Sequence, residues 1–193
     1  MIMQTNTRVI LKKRPDGVAT ADCFEIEEIE LGLLVEGQVR VGVEYISVDA
    51  GTRTMLCGEG FHHQVAIGDT VLAGGVGRIV ESRCEEWNLG DTVRGGLGAQ
   101  TFADIATGQL EKLADTNLSL STYLGILGGS TGVTAWIGVR SVARPARGDI
   151  FVVSAAAGAV GSLAGQIAKR EGATVIGIAG GARKKAYLVD QLG

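Results

Sequence analysis

"DIFVVSAAAGAVGSLAGQIAKREGATVIGI" runs from Asp149 to Ile178. An apolar, β-branched run, Ile150 to Val153, thins into Ala and Gly. The chain then turns amphipathic and closes on a second β-branched run, Thr174 to Ile178. The two apolar runs predict buried strands, and the stretch between them predicts a helix that stops at Gly172. Strand, helix and strand in that order make a βαβ unit with parallel strands and a right-handed crossover. The corner between the first strand and the helix is Ala156-Ala157-Gly158-Ala159-Val160-Gly161. It reads as the fingerprint G-x-G-x-x-G with Ala in the first glycine position. Such a corner lets the chain turn tightly, lets a pyrophosphate touch the backbone near Gly158, and lets the helix pack closely on the sheet at Gly161. The anion belongs at the helix N-terminus, where free N–H groups and the dipole favour it. The competing reading is close helix–sheet packing with no ligand.

The end of the second strand adds to this. A site for NAD usually carries Asp or Glu about 20 residues past the glycines, on the ribose hydroxyls. Here the chain reads Ala179-Gly180-Gly181-Ala182-Arg183-Lys184-Lys185. There is no acid, and there are three consecutive cations. A 2′-phosphate is matched by such charge, so NADP(H) is expected over NAD(H), with Gly180 and Lys184 among its contacts. The competing reading is a solvated helix start. Cations in a first helical turn oppose the helix dipole, however, and an anion beside them accounts for their presence.

The totals fit a soluble chain with a sizeable core. The chain has 193 residues, 46% of them hydrophobic, with 30 Gly and 2 Pro and no glycine period or internal repeat. No apolar run approaches the roughly 20 residues of a membrane span, and the N-terminus lacks a signal-peptide pattern. Three scattered cysteines, Cys23, Cys57 and Cys84, fit a reduced, cytoplasmic setting. The net charge is −3, but residues 1–122 hold 10 Lys and Arg against 18 Asp and Glu, whereas 123–193 hold 8 against 3. The basic part, without interleaved aromatics, points to a phosphorylated small ligand and not to nucleic acid or a membrane.

Before the βαβ unit the chain reads as short strands broken by turns. "RVILKK", "CFEIEEIEL", "GQVRVGVEYISVDAG", "DTVLAGGVGRIVES" and "DTVRGGLGAQTFADI" alternate or run apolar between Gly-rich breaks. A small β-barrel or sandwich is expected over 1–122. From Tyr123 the pattern turns helical, with Ser121 and Ser130 as cap candidates, and a nucleotide-binding domain is expected over 123–193.

"SAAAGAVGSLAGQIAK", with "GSTGVTAWIGV" before it and "GGARKKAYLVDQLG" after it, resembles the zinc-independent medium-chain dehydrogenase/reductases, of the NADPH-dependent alkenal/one reductase type. The likeness runs back through "EYISVDAGTRTML" to the N-terminus. It implies an α/β chain: a GroES-like β-rich domain followed by the first half of a Rossmann domain, a doubly wound parallel sheet. It implies NADP(H) held at Gly158, Ala159, Val160 and Gly161, with Lys184 on the 2′-phosphate and Thr134 beside the nicotinamide. The implied reaction reduces the C=C bond of a small enone or enal by hydride transfer. Quinone reduction, or a non-enzymatic nucleotide-binding or interaction module, are the alternatives. The family's Asp-Pro-Tyr-Met-Arg reads here Asp49-Ala50-Gly51-Thr52-Arg53, without the tyrosine that would face the substrate. Family members are much longer, so the chain is expected to be truncated, a fragment or one piece of a split protein. It is also expected to be a poor enzyme alone and to form a homo-oligomer or need a complementing second polypeptide.

Other chemistry finds less support. Cys57, Glu59, His62 and His63 lie close in sequence but lack zinc-site spacing, so no metal is expected. Ser154 and Ser162 flank the corner without a G-x-S-x-G elbow. Cys23, Cys84, Tyr45, Met55 and Trp136 are expected to pack as core. No catalytic residue is assigned, because the family's proton-relay tyrosine lies beyond Gly193.

Overall fold

The computed structural model describes residues 4–60, 63–114 and 116–193. The chain divides between Ser121 and Thr122 into two compact units.

In the first unit, β1 (Thr5–Leu11) and β2 (Phe24–Glu30) form an antiparallel hairpin. Then come β3 (Gln38–Ile46), the short helix α1 (Ala50–Met55), β4 (Gly75–Ser82), β5 (Thr92–Gly95), β6 (Phe102–Ala106) and β7 (Leu110–Lys112). The last five strands make one antiparallel sheet in the order β6-β3-β4-β5-β7. β1 ties the hairpin to this sheet's connections: Val9 N–H donates to Ala99 O at 2.8 Å, and Val71 N–H donates to Val9 O at 2.9 Å. This is the GroES-like β-rich fold.

Alternation along β3 buries Val39 and Val41 with Ile79, Val93, Leu97 and Ala103. Leu11, Leu56, Val65 and Val71 form a second core, against which Met55 packs as expected. Gly77 lets β3 and β4 close together, because a Cβ there would lie 2.2 Å from Gly42 O. The alternation does not carry to Tyr45, which is exposed. A bulge at Glu44 resets the register between Val43 and Tyr45 and turns the strand end out of the core. Ile26 on β2 is likewise exposed, since that strand's order comes partly from cross-strand pairs such as Arg8–Glu27 at 2.6 Å. Cys23 is buried, as expected. Cys84 is only half-buried, in the turn after β4, where its N–H donates to Ser82 Oγ.

One buried cation spans three strands. Arg40, 4% exposed, faces Asp104 on β6 and Glu81 on β4 in register. It donates through Nε and Nη2 to both Asp104 oxygens, at 2.7 and 2.8 Å, through Nη1 to Glu81 at 2.6 Å, and through Nη2 to Gly32 O at 2.7 Å. The Asp104 hydrogen bonds raise its pKa despite the opposing effect of burial, so the guanidinium stays charged.

In the second unit, β8 (Ile150–Val153) and β9 (Thr174–Gly177) pair in parallel, with α3 (Ala159–Arg170) between them in sequence. This is the opening βαβ unit of a Rossmann-type sheet. Gly172, at φ +94°, follows the end of α3 as the sequence predicts. The helical region expected from Tyr123 is shorter than its pattern. It holds a 3₁₀ turn at Leu120–Tyr123, tight turns, and α2 (Gly132–Trp136), which continues as a π-helix over Ile137–Ala143. Neither Ser121 nor Ser130 caps it: Thr131 holds the cap position, and without a side-chain bond. Trp136 does not pack as core. It is 52% exposed, and Arg140 lies over its ring at 4.8 Å. The core of the unit is Ala135 and Val139 against Ala164 and Ala168, with Phe151, Val153 and Val175 beneath α3. α4 (Ala182–Ala186) follows β9 and continues as a π-helix over Tyr187–Gln191. Among the described residues no helix is long and apolar enough to cross a membrane.

Arg40→Ala removes the shared partner of two carboxylates that keep partial contact with water. The expected loss is about 2–3 kcal/mol of stability, read as a lower urea midpoint by circular dichroism. A loss below about 1 kcal/mol would show that the three strands hold without the cation.

Candidate functional site

The strand-to-helix corner is built around one carbonyl. After Val153 the chain turns through Ser154–Ala157, and α3 begins at Ala159 with Gly158 as its N-cap. Ala155 adopts a left-handed conformation, φ +48°. Its carbonyl accepts Gly158 N–H at 2.8 Å and lies 2.4 Å from where a Cβ on Gly161 would stand. Any side chain at Gly161 would strike backbone. A Cβ on Gly158 would meet only that same oxygen, at 3.1 Å, with open space beyond. Gly158, Ala159 and Val160 are exposed and Gly161 is buried. Gly158 has no side chain to cap the helix, so the first-turn amides of α3 face outward without an intrahelical acceptor. Such a terminus favours an anion.

The corner is fastened to the end of β9. Ala156 N–H donates to Ile178 O at 3.0 Å, and Ile178 N–H donates to Val153 O at 2.9 Å. From there the chain turns through Ala179 and Gly180 to Gly181 (φ +82°), the N-cap of α4. Arg183, Lys184 and Lys185 follow, all exposed, and none forms an ion pair with a described residue. Thr134 is exposed on α2, next to Ala135, which packs against Ala164 of α3. The βαβ fold thus brings the corner, Gly180 and Lys184 to neighbouring strand ends, and α2 lies alongside the same helix.

A cavity of about 540 Å³ lies elsewhere in this unit, between α3 and the segment after β9. It reaches Gly161, Ser162, Lys169 and Lys185, but not Gly158, Ala159, Val160, Gly180, Lys184 or Thr134. Apolar side chains such as Val175, Leu188 and Val189 wall it. An anion is served by the outward first-turn amides that follow Gly158, so the open face of the corner is the better candidate.

Residues 7–113, more than half of the chain, match the family described as the N-terminal domain of oxidoreductase. The chain belongs to this oxidoreductase family. The NADPH-dependent curcumin reductase of Escherichia coli is 38% identical over 98% of the chain and 55% of its own length. The 2-alkenal reductase (NADP(+)-dependent) of Nicotiana tabacum is 36% identical over 98% of the chain and 57% of its own length. The crystal structure of CurA from Vibrio vulnificus matches with a TM-score of 0.86 and 34% identity, over 97% of the chain and 56% of CurA. CurA in complex with NADPH matches at 0.83 and 31%. The resemblance to the medium-chain dehydrogenase/reductases therefore holds, and the chain spans about half the length of the relatives it matches.

The other candidates stay apart from the corner. Cys57 is exposed and accepts a hydrogen bond from Arg53 Nη1 at 2.6 Å. His63 is exposed, and His62 lies outside the described residues. Among the described residues no three His, Cys, Asp or Glu stand together as a metal site. Ser162 lies in the first turn of α3, its hydroxyl donating to Ala159 O at 3.2 Å. Sequence reasoning missed Ala155. Its run of alanines reads as helix former, and nothing in an Ala side chain announces a left-handed backbone.

Gly161→Ala and Gly158→Ala should separate packing from exposure. Gly161→Ala should destabilise the second unit by about 1–3 kcal/mol, since backbone must move. Gly158→Ala should cost less than about 1 kcal/mol, its Cβ meeting one oxygen that can yield slightly. Thermal unfolding of both variants checks this. Equal losses would mean that the corner relaxes freely.

Proposed function

We propose that this chain carries the nucleotide-phosphate end of an NADPH-dependent reductase, acting on the C=C bond of α,β-unsaturated carbonyl compounds. The observation that carries this reading is a bare strand-to-helix corner fastened to a strand end that is followed by three cations without ion-pair partners among the described residues. The chain's likeness to an NADPH-dependent curcumin reductase and an NADP(+)-dependent 2-alkenal reductase supports it.

The residues present fit the cofactor. A Cβ at Gly158 would meet only Ala155 O, at 3.1 Å, so the corner is open in front of the first-turn N–H groups. Gly158 would let the pyrophosphate approach the backbone, and Ala159, Val160 and Gly161 in the first turn would offer it their N–H groups, without counter-charge from a side chain. Lys184, with Gly180 in the turn before it, would hold the 2′-phosphate. Its ammonium is exposed and is committed to no carboxylate among the described residues. Thr134 would border the nicotinamide. When bound, NADPH supplies a hydride to the β-carbon of the conjugated carbonyl, and the α-carbon takes a proton. The chain's part in this is to bind and orient the donor; no proton donor is assigned among its residues.

The reading includes no metal, a cytoplasmic setting consistent with three free cysteines, and association with a second copy or a second polypeptide. The last has support in the sheet. Phe151, Val153 and Val175 pack beneath α3, so Ile150, Val152 and Ile176 face the other way, and they are 68%, 57% and 49% exposed. Parallel sheets are normally covered on both faces. Light scattering on the purified chain should show a species larger than the monomer.

Lys184→Ala tests the cofactor assignment. Losing one charge-assisted contact costs about 1.5–3 kcal/mol, so the NADPH Kd should rise about 10- to 100-fold while NADH binding hardly changes. Fluorescence titration of both cofactors against the chain reads this without turnover. Equal weakening of both would overturn the 2′-phosphate role.

A further inference from the structure

We propose that Ala155 is a positioning residue, whose left-handed backbone fixes the phosphate-binding corner before the nucleotide arrives. This rests on the NADPH reading above. Among the described residues eleven glycines have positive φ, and only two other residues do, Arg144 and Ala155, both at +48°. Arg144 ends a helical segment, where a left-handed residue is common. Ala155 stands in a strand-to-helix turn. Apart from Arg144, the described residues with positive φ elsewhere are glycines, yet at this corner stands a residue for which that conformation is strained. A strained residue persists only where its surroundings over-determine it.

Those surroundings are visible. The Ala155 carbonyl accepts Gly158 N–H at 2.8 Å and abuts Gly161. The next residue, Ala156, is 2% exposed and donates to Ile178 O at 3.0 Å. Ala155 therefore sets the direction of the α3 amides on one side. On the other side its neighbour Ala156 holds the residue after β9, which leads to Gly180 and Lys184. The Ala155 Cβ restricts the backbone to few conformations. Glycine would fit the left-handed geometry without strain but would let the unliganded corner sample others, and binding would then have to order it. Asparagine keeps a Cβ and tolerates the left-handed region.

The test uses the 193-residue chain as wild type, Ala155→Gly and Ala155→Asn, with NADPH titrated by fluorescence and amide exchange followed at Gly158 without ligand. The conformational freedom that glycine adds corresponds to a rise of about two- to fivefold in the NADPH Kd. Gly158 exchange should quicken by a similar factor. The thermal midpoint should move little, because strain relief and lost stiffness oppose each other. Ala155→Asn should keep the wild-type Kd. An unchanged Kd in Ala155→Gly, or an equal rise in Ala155→Asn, would overturn the positioning role alone. Failure of the wild-type chain to bind NADPH would overturn the nucleotide reading and this inference with it.

Discussion

The second unit depends on the placement of one peptide carbonyl. Ala155 O occupies the space where a side chain on Gly161 would go and accepts the Gly158 N–H. Helix α3 can therefore begin here only where the chain offers glycine at Gly161. Once it begins there, its small residues Ala164 and Ala168 meet Ala135 and Val139 of the preceding helical segment. Close approach and small side chains are one constraint seen from two sides. The same tightness leaves the helix N-terminus without a capping side chain, and the unfilled amides are what an anion would use.

The first unit solves a different problem. Its sheet is small, and its strands would slip without a fixed register. Arg40 supplies a fixed point, since its planar fork matches both Asp104 oxygens while its remaining donors reach Glu81 and Gly32. A slip of one residue on either side would turn a carboxylate to the opposite face of the sheet and strand the cation. The bulge at Val80 and that at Glu44 bend the strands around this point. They also release Tyr45 from the core it would otherwise have joined.

Much of this was legible in the residues. The strand, corner, helix and strand of Asp149–Ile178 follow from β-branched runs, methyl-sized side chains and Gly172, all of them local signals. The antiparallel strands of the first unit could be read from alternation, but their interruptions could not. A bulge depends on the partner strand, so Val43 to Tyr45 looks regular in isolation. Trp136 looked like core because of its size, whereas its ring lies under Arg140 near the surface. Arg40 carries no sequence signal either, since its partners Glu81 and Asp104 are 41 and 64 residues away. At the corner the glycines announced themselves, and the left-handed alanine beside them did not.

Asn6 has a bearing on how the chain acquires its shape. It is 2% exposed, its Nδ2 donates to Gln100, and its Oδ1 accepts from Thr101 Oγ1 and Phe102 N–H. These partners lie 94 to 96 positions along the chain. During synthesis the first strand leaves the ribosome long before the residues that satisfy it. A contact of such sequence separation forms late and slowly, because the intervening loop must first be closed. The N-terminal strand is therefore the last part of its unit to dock, whereas the βαβ unit assembles from neighbours within about thirty residues. The two units acquire their folds on different clocks, and the slower one waits on contacts that span most of its own length.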